Sequence, residues 1–199
     1  MKRVGDLERK YVLDVLDSQF RTSQGAVYMT RFESAFSDQF KSKFAISHVN
    51  GTATIHSALE ASGIGPGDEV IVPPLTMSAT SLAVLHANAT PIFADIDLDT
   101  FVIDAKSIEE NITERTKAII TVALYGLSPD MDPIMDIARK YNLLVIEDNA
   151  QAFLSYYKNR LVGTLGHAAS FSFQSSKHLS AGEGGIITTN DENLALKIR

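Results

Sequence analysis

Short apolar runs and amphipathic stretches take turns along most of this chain, and that alternation limits the folds open to it more than any other feature. Glu69-Val-Ile-Val72, Lys117-Ala-Ile-Ile-Thr-Val-Ala-Leu124 and Asn142-Leu-Leu-Val-Ile-Glu147 each carry apolar residues at three or more consecutive positions. A strand with one wet face would alternate, so these are strands covered on both faces. Helical segments separate them: about Ala53 to Ser62, Ser78 to Ala87 and Pro133 to Tyr141. The last carries its proline in the first turn, where the missing N–H costs little. Phe44 to Val49, Thr90 to Ala94, Ala168 to Phe173 and Gly185 to Thr189 read as further strands, with helices over Gly5 to Leu16 and Thr30 to Lys41 ahead of them. Ser107 and Glu110 have capping-box spacing and predict a short helix opening at Ser107. The expected fold class is α/β, a mainly parallel sheet flanked by helices, within one domain of 199 residues.

Composition excludes several functions. The formal net charge is -6 and no cluster of five basic residues occurs, so nucleic acid is not an expected partner. There are no cysteines, which fits a reducing compartment and removes disulfides and thiolate metal sites. The start of the chain alternates charges and lacks an apolar signal core, and the longest apolar stretch, Ala118 to Leu127, is half a membrane span. A soluble, cytoplasmic protein without a membrane partner is expected. His48, His56, His86, His167 and His178 lack metal-ligand spacing, so no metal is expected either.

Chemistry concentrates at three places. Lys177 lies in Ser170-Phe-Ser-Phe-Gln-Ser-Ser-Lys177-His-Leu-Ser-Ala-Gly-Glu-Gly-Gly185, flanked by Ser172, Ser175, Ser176 and Ser180, with no carboxylate in the five residues before it. It is either a surface lysine or an amine set among hydroxyls for catalysis. Asp148 ends the apolar run Leu143 to Ile146 and lies about thirty residues, one βαβ unit, before Lys177. Strand alternation sends Glu147 and Asp148 to opposite faces, so at most one of them reaches a ligand at the sheet's carboxyl edge. A helix cap or a Mg²⁺ ligand would equally place an aspartate there. Asn50-Gly51-Thr52 joins a strand to a helix and suits an anion at the helix's positive end, or an ordinary N-cap. Together the amine and the carboxylate suit pyridoxal phosphate, the lysine as its Schiff-base partner and the aspartate at its ring nitrogen. No Gly-x-Ser-x-Gly elbow, Gly-x-Gly-x-x-Gly fingerprint or P-loop occurs, although order alone does not exclude a Ser-His-Asp triad.

The ordered set Asn50-Gly-Thr-Ala-Thr-Ile-His56, Gly65-Pro-Gly-Asp-Glu-Val-Ile-Val-Pro73, Ile96-Asp97, Leu124-Tyr-Gly126, Glu147-Asp-Asn-Ala-Gln-Ala152, Phe171-Ser-Phe-Gln-Ser-Ser-Lys177 and Gly182-Glu-Gly-Gly185 resembles the DegT/StrS sugar aminotransferases, pyridoxal phosphate enzymes of fold type I. The resemblance runs from about Ser23 to Arg199. It implies that Lys177 binds the cofactor covalently, Asp148 pairs with the pyridine nitrogen and Gln151 lies on the ring-hydroxyl side. Thr52, Ala53 and Ser172 would hold the phosphate. Met77 stands where relatives place an aromatic residue, and a thioether still packs on a π-face. His178 replaces a frequent asparagine and Ala123 a frequent histidine; lysine at 177, where dehydrating relatives carry histidine, implies amino transfer.

The implied reaction moves an amino group from an amino-acid donor, glutamate, to a nucleotide-linked keto-sugar, in a homodimer. A keto-inositol acceptor, or a non-catalytic protein of the same fold with a binding or regulatory role, remains open. Relatives of this type are about twice as long and add a small C-terminal domain. Residues 1–199, with a helical segment over about 1–41, are therefore expected to be an incomplete large domain, inactive or poorly folded alone. The helix opening at Asp191 and running to Arg199 without a C-cap agrees with that expectation.

Overall fold

The computed structural model describes residues 4–18 and 27–199. Ser23 to Ala26, where the resemblance begins, lie outside the described residues. Two helices, α1 (Asp6–Asp17) and α2 (Val27–Phe40), lead into β1 (Phe44–His48), α3 (Gly51–Ala61), β2 (Glu69–Val72), α4 (Ala79–His86) and β3 (Thr90–Phe93). Then come α5 (Ala105–Glu110), β4 (Thr116–Val122), α6 (Met131–Tyr141), β5 (Leu144–Asp148), β6 (Tyr156–Tyr157), β7 (Arg160–Leu161), β8 (Ala168–Ser172), β9 (Gly185–Thr189) and α7 (Glu192–Ile198). Seven strands form one sheet in the order β1-β9-β8-β5-β4-β2-β3. The pairs β2–β3, β2–β4, β4–β5 and β5–β8 are parallel, and β9 runs antiparallel to both β1 and β8. This is the mostly parallel, helix-flanked sheet that the apolar runs predict.

Alternation along each buried strand feeds two cores. Val70, Val72, Ala118, Ile120, Ile146 and Ile187 point to one face, where α3, α4 and α7 cover them. Ile71, Ile119 and Val145 point to the other, against Ile108 of α5 and Ile134 and Ile137 of α6. A third cluster seats Phe36 and Phe40 of α2 on Phe171, Phe173 and Ile186, with the rings of Phe40 and Phe171 4.5 Å apart. The two-sided burial therefore fixes which face each residue at the end of β5 must take.

Three local expectations change. The short helix opens at Ala105, capped by the Asp104 carboxylate accepting from the Ser107 N–H at 3.1 Å. The Ser107 hydroxyl instead accepts from the Asp95 N–H at 2.7 Å, so its spacing to Glu110 is not a capping box. Asn142 closes α6 in the left-handed region (φ 54°) rather than opening β5, which runs through Asp148. Finally, β6 and β7 form a hairpin absent from the sequence reading. Its two-residue loop, Lys158-Asn159, holds φ values of 46° and 64°, the backbone of a tight twisted turn.

Candidate active site

The site starts from the register of β5. Ile146 lies on the α3/α4 face, so Asp148, two residues on, shares that face and Glu147 takes the other. Both carboxyls are buried. Glu147 Oε1 accepts from the N–H groups of Leu165 (2.7 Å) and Gly166 (2.6 Å), and Oε2 from that of Gly163 (2.7 Å). Among the described residues Asp148 accepts from the Thr80 hydroxyl, at 2.8 Å, and from the Ala150 amide two residues on, at 3.1 Å. Desolvation pushes the pKa of both acids up, against the pull of these donors. For Asp148 the charge of Lys177 pulls in the same direction as the donors, which places the amine within electrostatic reach of the acid.

Lys177 is carried by the loop between β8 and β9. Phe173 and Gly184 pair by a 2.8 Å backbone bond, the Ala181 N–H donates to the Phe173 carbonyl, and the Lys177 N–H closes a turn onto the Gln174 carbonyl at 2.9 Å. The Gln174 side chain accepts from both the N–H and the hydroxyl of Ser176, so the turn is tied from inside. The lysine is half-buried, at the wall of a cavity of about 360 Å³, within the range of small-molecule sites.

The start of α3 lines the same cavity. Gly51 and Thr52 line the cavity, and two close approaches bring them there. A Cβ on Gly51 would lie 2.9 Å from the Ser172 Cβ, and one on Gly185 would collide with the Asn50 carbonyl. Only glycines let the turn cross this near β8 and β9. The Asn50 side chain accepts from the Ala53 N–H at 2.8 Å, leaving the amides of Gly51 and Thr52 at the helix's positive end.

Thr52, Met77, Asp148, Gln151, Ser172 and Lys177 thus come together around one cavity, whereas Ala53 does not line it and its amide is engaged by Asn50. Met77 and His178 share a second, open recess of about 610 Å³ with Tyr125, Gln151 and Lys177. Ser175 and Ser180 lie outside the cavity wall, and Ala123 is buried among the β4 core residues. Among the described residues no group of three potential metal ligands occurs and no helix is long and apolar enough to cross a membrane.

Comparison with known proteins decides the family. The profile of the DegT/DnrJ/EryC1/StrS aminotransferase family matches residues 2–199. The chain belongs to this family. Among relatives, GDP-perosamine synthase of Caulobacter vibrioides is 50% identical over 197 residues, which cover 99% of this chain and 53% of that protein. L-glutamine:scyllo-inosose aminotransferase of Streptomyces griseus is 43% identical over 198 residues, covering 97% and 47%. The crystal structure of NtdA from Bacillus subtilis with bound cofactor PMP superposes with a TM-score of 0.87 at 36% identity, covering 98% of this chain and 45% of that one. The chain spans about half the length of the relatives it matches.

Within this DegT/DnrJ/EryC1/StrS chain, sequence reasoning missed Thr80, Gln174 and Tyr125. Thr80 sits in the first turn of α4 and meets Asp148 only because α4 crosses the carboxyl end of β5. Nothing in Thr80's own neighbourhood signals that partner. Gln174 carried a weak signal, an amide three residues before the lysine in a serine-rich loop.

Proposed function

We propose that this chain is the cofactor-binding part of a pyridoxal phosphate-dependent aminotransferase that passes an amino group from glutamate to a nucleotide-linked keto-sugar. The observation that carries the reading is the cavity itself, lined by Asp148 at a strand end, by Lys177 of the β8–β9 loop and by the start of α3. These residues fit the cofactor by their chemistry. Asp148 is a buried carboxylate with unfilled acceptor positions, Lys177 is an amine, and Gly51, Thr52 and Ser172 offer amides and hydroxyls at a helix N-terminus suited to a phosphate dianion. When bound, the cofactor supplies a protonated ring that takes up the electron pair of a breaking C–H bond.

The chain's own groups then have separate tasks. Asp148, short of donors in an apolar strand end, would hold a proton on a ring nitrogen by a charge-assisted bond. Thr80 orients that carboxylate. Thr52 and Ser172 bind phosphate with the Gly51 and Thr52 amides, and Asn50, by taking the Ala53 amide, shapes their turn. Lys177 would hold the cofactor by its nucleophilic amine and would serve as the base that moves a proton at the substrate carbon. Met77, at the cavity wall, would offer its thioether to the ring's face. The similarity to a GDP-perosamine synthase supports a nucleotide-sugar acceptor. The similarity to a scyllo-inosose aminotransferase supports a second reading, a cyclic keto-inositol acceptor. A homodimer in the cytoplasm, where nucleotide sugars are made, completes the proposal.

Reconstitution of the full chain with pyridoxal phosphate tests it. Visible cofactor absorbance, and its conversion by glutamate, are expected in the wild type and not in Lys177→Ala. Turnover of nucleotide-linked 4-keto-sugars over keto-inositols selects the first reading and the reverse selects the second. Absorbance without turnover of either would mark a non-catalytic protein, and turnover by Lys177→Ala would refute the assignment.

A further inference from the structure

The open recess of about 610 Å³ adjoins the cofactor cavity and shares Met77, Gln151 and Lys177 with it. Tyr125 and His178 line the recess and not the cavity. Lys177 is common to both, so a molecule seated in the recess borders the lysine amine. Although the chain carries 24 acidic residues, among the described residues no carboxylate lines the recess. Asp148 and Glu183 belong to the cavity alone. What the recess offers instead is donors: an amine, a phenol and an imidazole, which carries an N–H in either protonation state.

Neither ring packs into the core. Both residues are exposed, Tyr125 to 90%, and among the described residues no hydrogen bond engages the phenol or the imidazole. Tyr125 also sits at φ 51°, a left-handed backbone that disfavours a tyrosine. Its N–H is anchored on Gln151 Oε1 at 3.1 Å, which holds the turn at the recess. His178 follows the turn that the Lys177 N–H closes on the Gln174 carbonyl at 2.9 Å. A strained, unburied aromatic beside an acid-free wall calls for a ligand and not for packing.

We propose that the recess binds the anionic part of the second substrate, and that His178 and Tyr125 are specificity-determining residues that donate to its oxygens. The proposal rests on the aminotransferase reading of the cavity and deepens it. Two substrates carry that chemistry, the amino donor through its carboxylates and the nucleotide-linked sugar through its diphosphate. Hydrogen bonds to such charged oxygens are stronger than neutral ones, and the absence of a facing acid leaves them unopposed.

Calorimetric titration of the full chain, reconstituted with pyridoxal phosphate, with 2-oxoglutarate and separately with GDP tests it. His178→Leu keeps bulk without a donor and should weaken the bound probe about tenfold. His178→Glu places an acid in the wall and should weaken it further, whereas His178→Gln restores an N–H and should stay within about threefold of wild type. Tyr125→Phe keeps ring and backbone and should lose about threefold. A loss confined to 2-oxoglutarate assigns the donor's carboxylates, and one confined to GDP assigns the diphosphate. A loss for both assigns one anion site used in turn by the two half-reactions. Unchanged affinity of His178→Leu and His178→Glu for both probes would overturn the proposal, as would a wild type that binds neither. Equal losses in His178→Leu and His178→Gln would make ring shape the cause and overturn the donor role, and Tyr125→Phe equal to wild type would overturn the part given to Tyr125. Cofactor absorbance should persist in all these variants, since neither residue lines the cavity. Its absence from the wild type would refute the cofactor reading, which the probe titrations leave separate.

Discussion

Glu147 and Asp148 are neighbours in the chain, both buried, both pushed up in pKa by desolvation, yet the two sides of the sheet put them to opposite uses. On the α5/α6 side, Glu147 takes three amides of the 163–166 return, at both of its oxygens. On the α3/α4 side, Asp148 has one hydroxyl and one local amide, and its remaining acceptor positions face a cavity. Depth does not separate an acid held by the protein's own donors from one left open to a cavity. The difference lies in whether the protein itself fills the acceptor positions.

Substitutions at the two sites should therefore fail in different ways. The largest effect is expected in turnover of the reconstituted full chain. Lys177→Ala should lose about a thousandfold or more, and Asp148→Asn about a hundred- to a thousandfold. Asp148→Asn should at the same time melt no earlier than wild type, because it removes a buried charge. Glu147→Ala should do the reverse. Three buried amides left without an acceptor cost about 3 kcal/mol or more in denaturant melts, while the folded fraction keeps its cofactor affinity. An Asp148→Asn variant that unfolds, or a stable but inactive Glu147→Ala, would erase the contrast.

Smaller effects sharpen it. Gly185→Ala forces a Cβ into the Asn50 backbone, so it should cost about 1–3 kcal/mol and loosen cofactor phosphate binding together. Thr80→Val removes one donor to Asp148 and should lower turnover about tenfold with a stability loss of about 1 kcal/mol, read from kinetics and melts on the same preparation. The smallest effect is in pH. His48 and His167 are held neutral, with pKa values depressed chiefly by burial. Their contribution to stability is whole above the unfolded value near 6.5 and is lost as pH falls below it toward the folded pKa. The raised acids run the other way, contributing most below their unfolded values near 4 and less as pH rises. Melts at pH 7.5 and 5.5 should show a loss under about 1 kcal/mol, since both rings are partly exposed, and a smaller one in His167→Asn.

Much of this arrangement is legible in the sequence. The bounds of β2 and β9 agree residue for residue, because apolar runs ended by proline, glycine or charge leave little freedom. Alternation alone assigned Glu147 and Asp148 to opposite faces. The β6–β7 hairpin was not legible, since Lys158 is an unusual occupant of a left-handed turn position and the strands are two residues each. The short helix was misread because Asp104 and Ser107 are both good caps, and which one serves depends on whether Asp95 claims the serine. Ala53, expected with Thr52 at the turn into α3, donates its amide to the local Asn50 side chain, a contact that the order of residues does not announce.

By itself the sequence determined the α/β class, the placing of Glu147 and Asp148 on opposite faces of the sheet, and the resemblance to the family. These follow from periodicity and from local motifs that need no distant partner. The tertiary structure alone decided what each group touches: Thr80 on Asp148, three amides on Glu147, and the Tyr125 N–H on Gln151. Hydrogen bonds reach about 3 Å, and residues tens of positions apart meet at that range only after burial of both sheet faces has fixed where every strand ends.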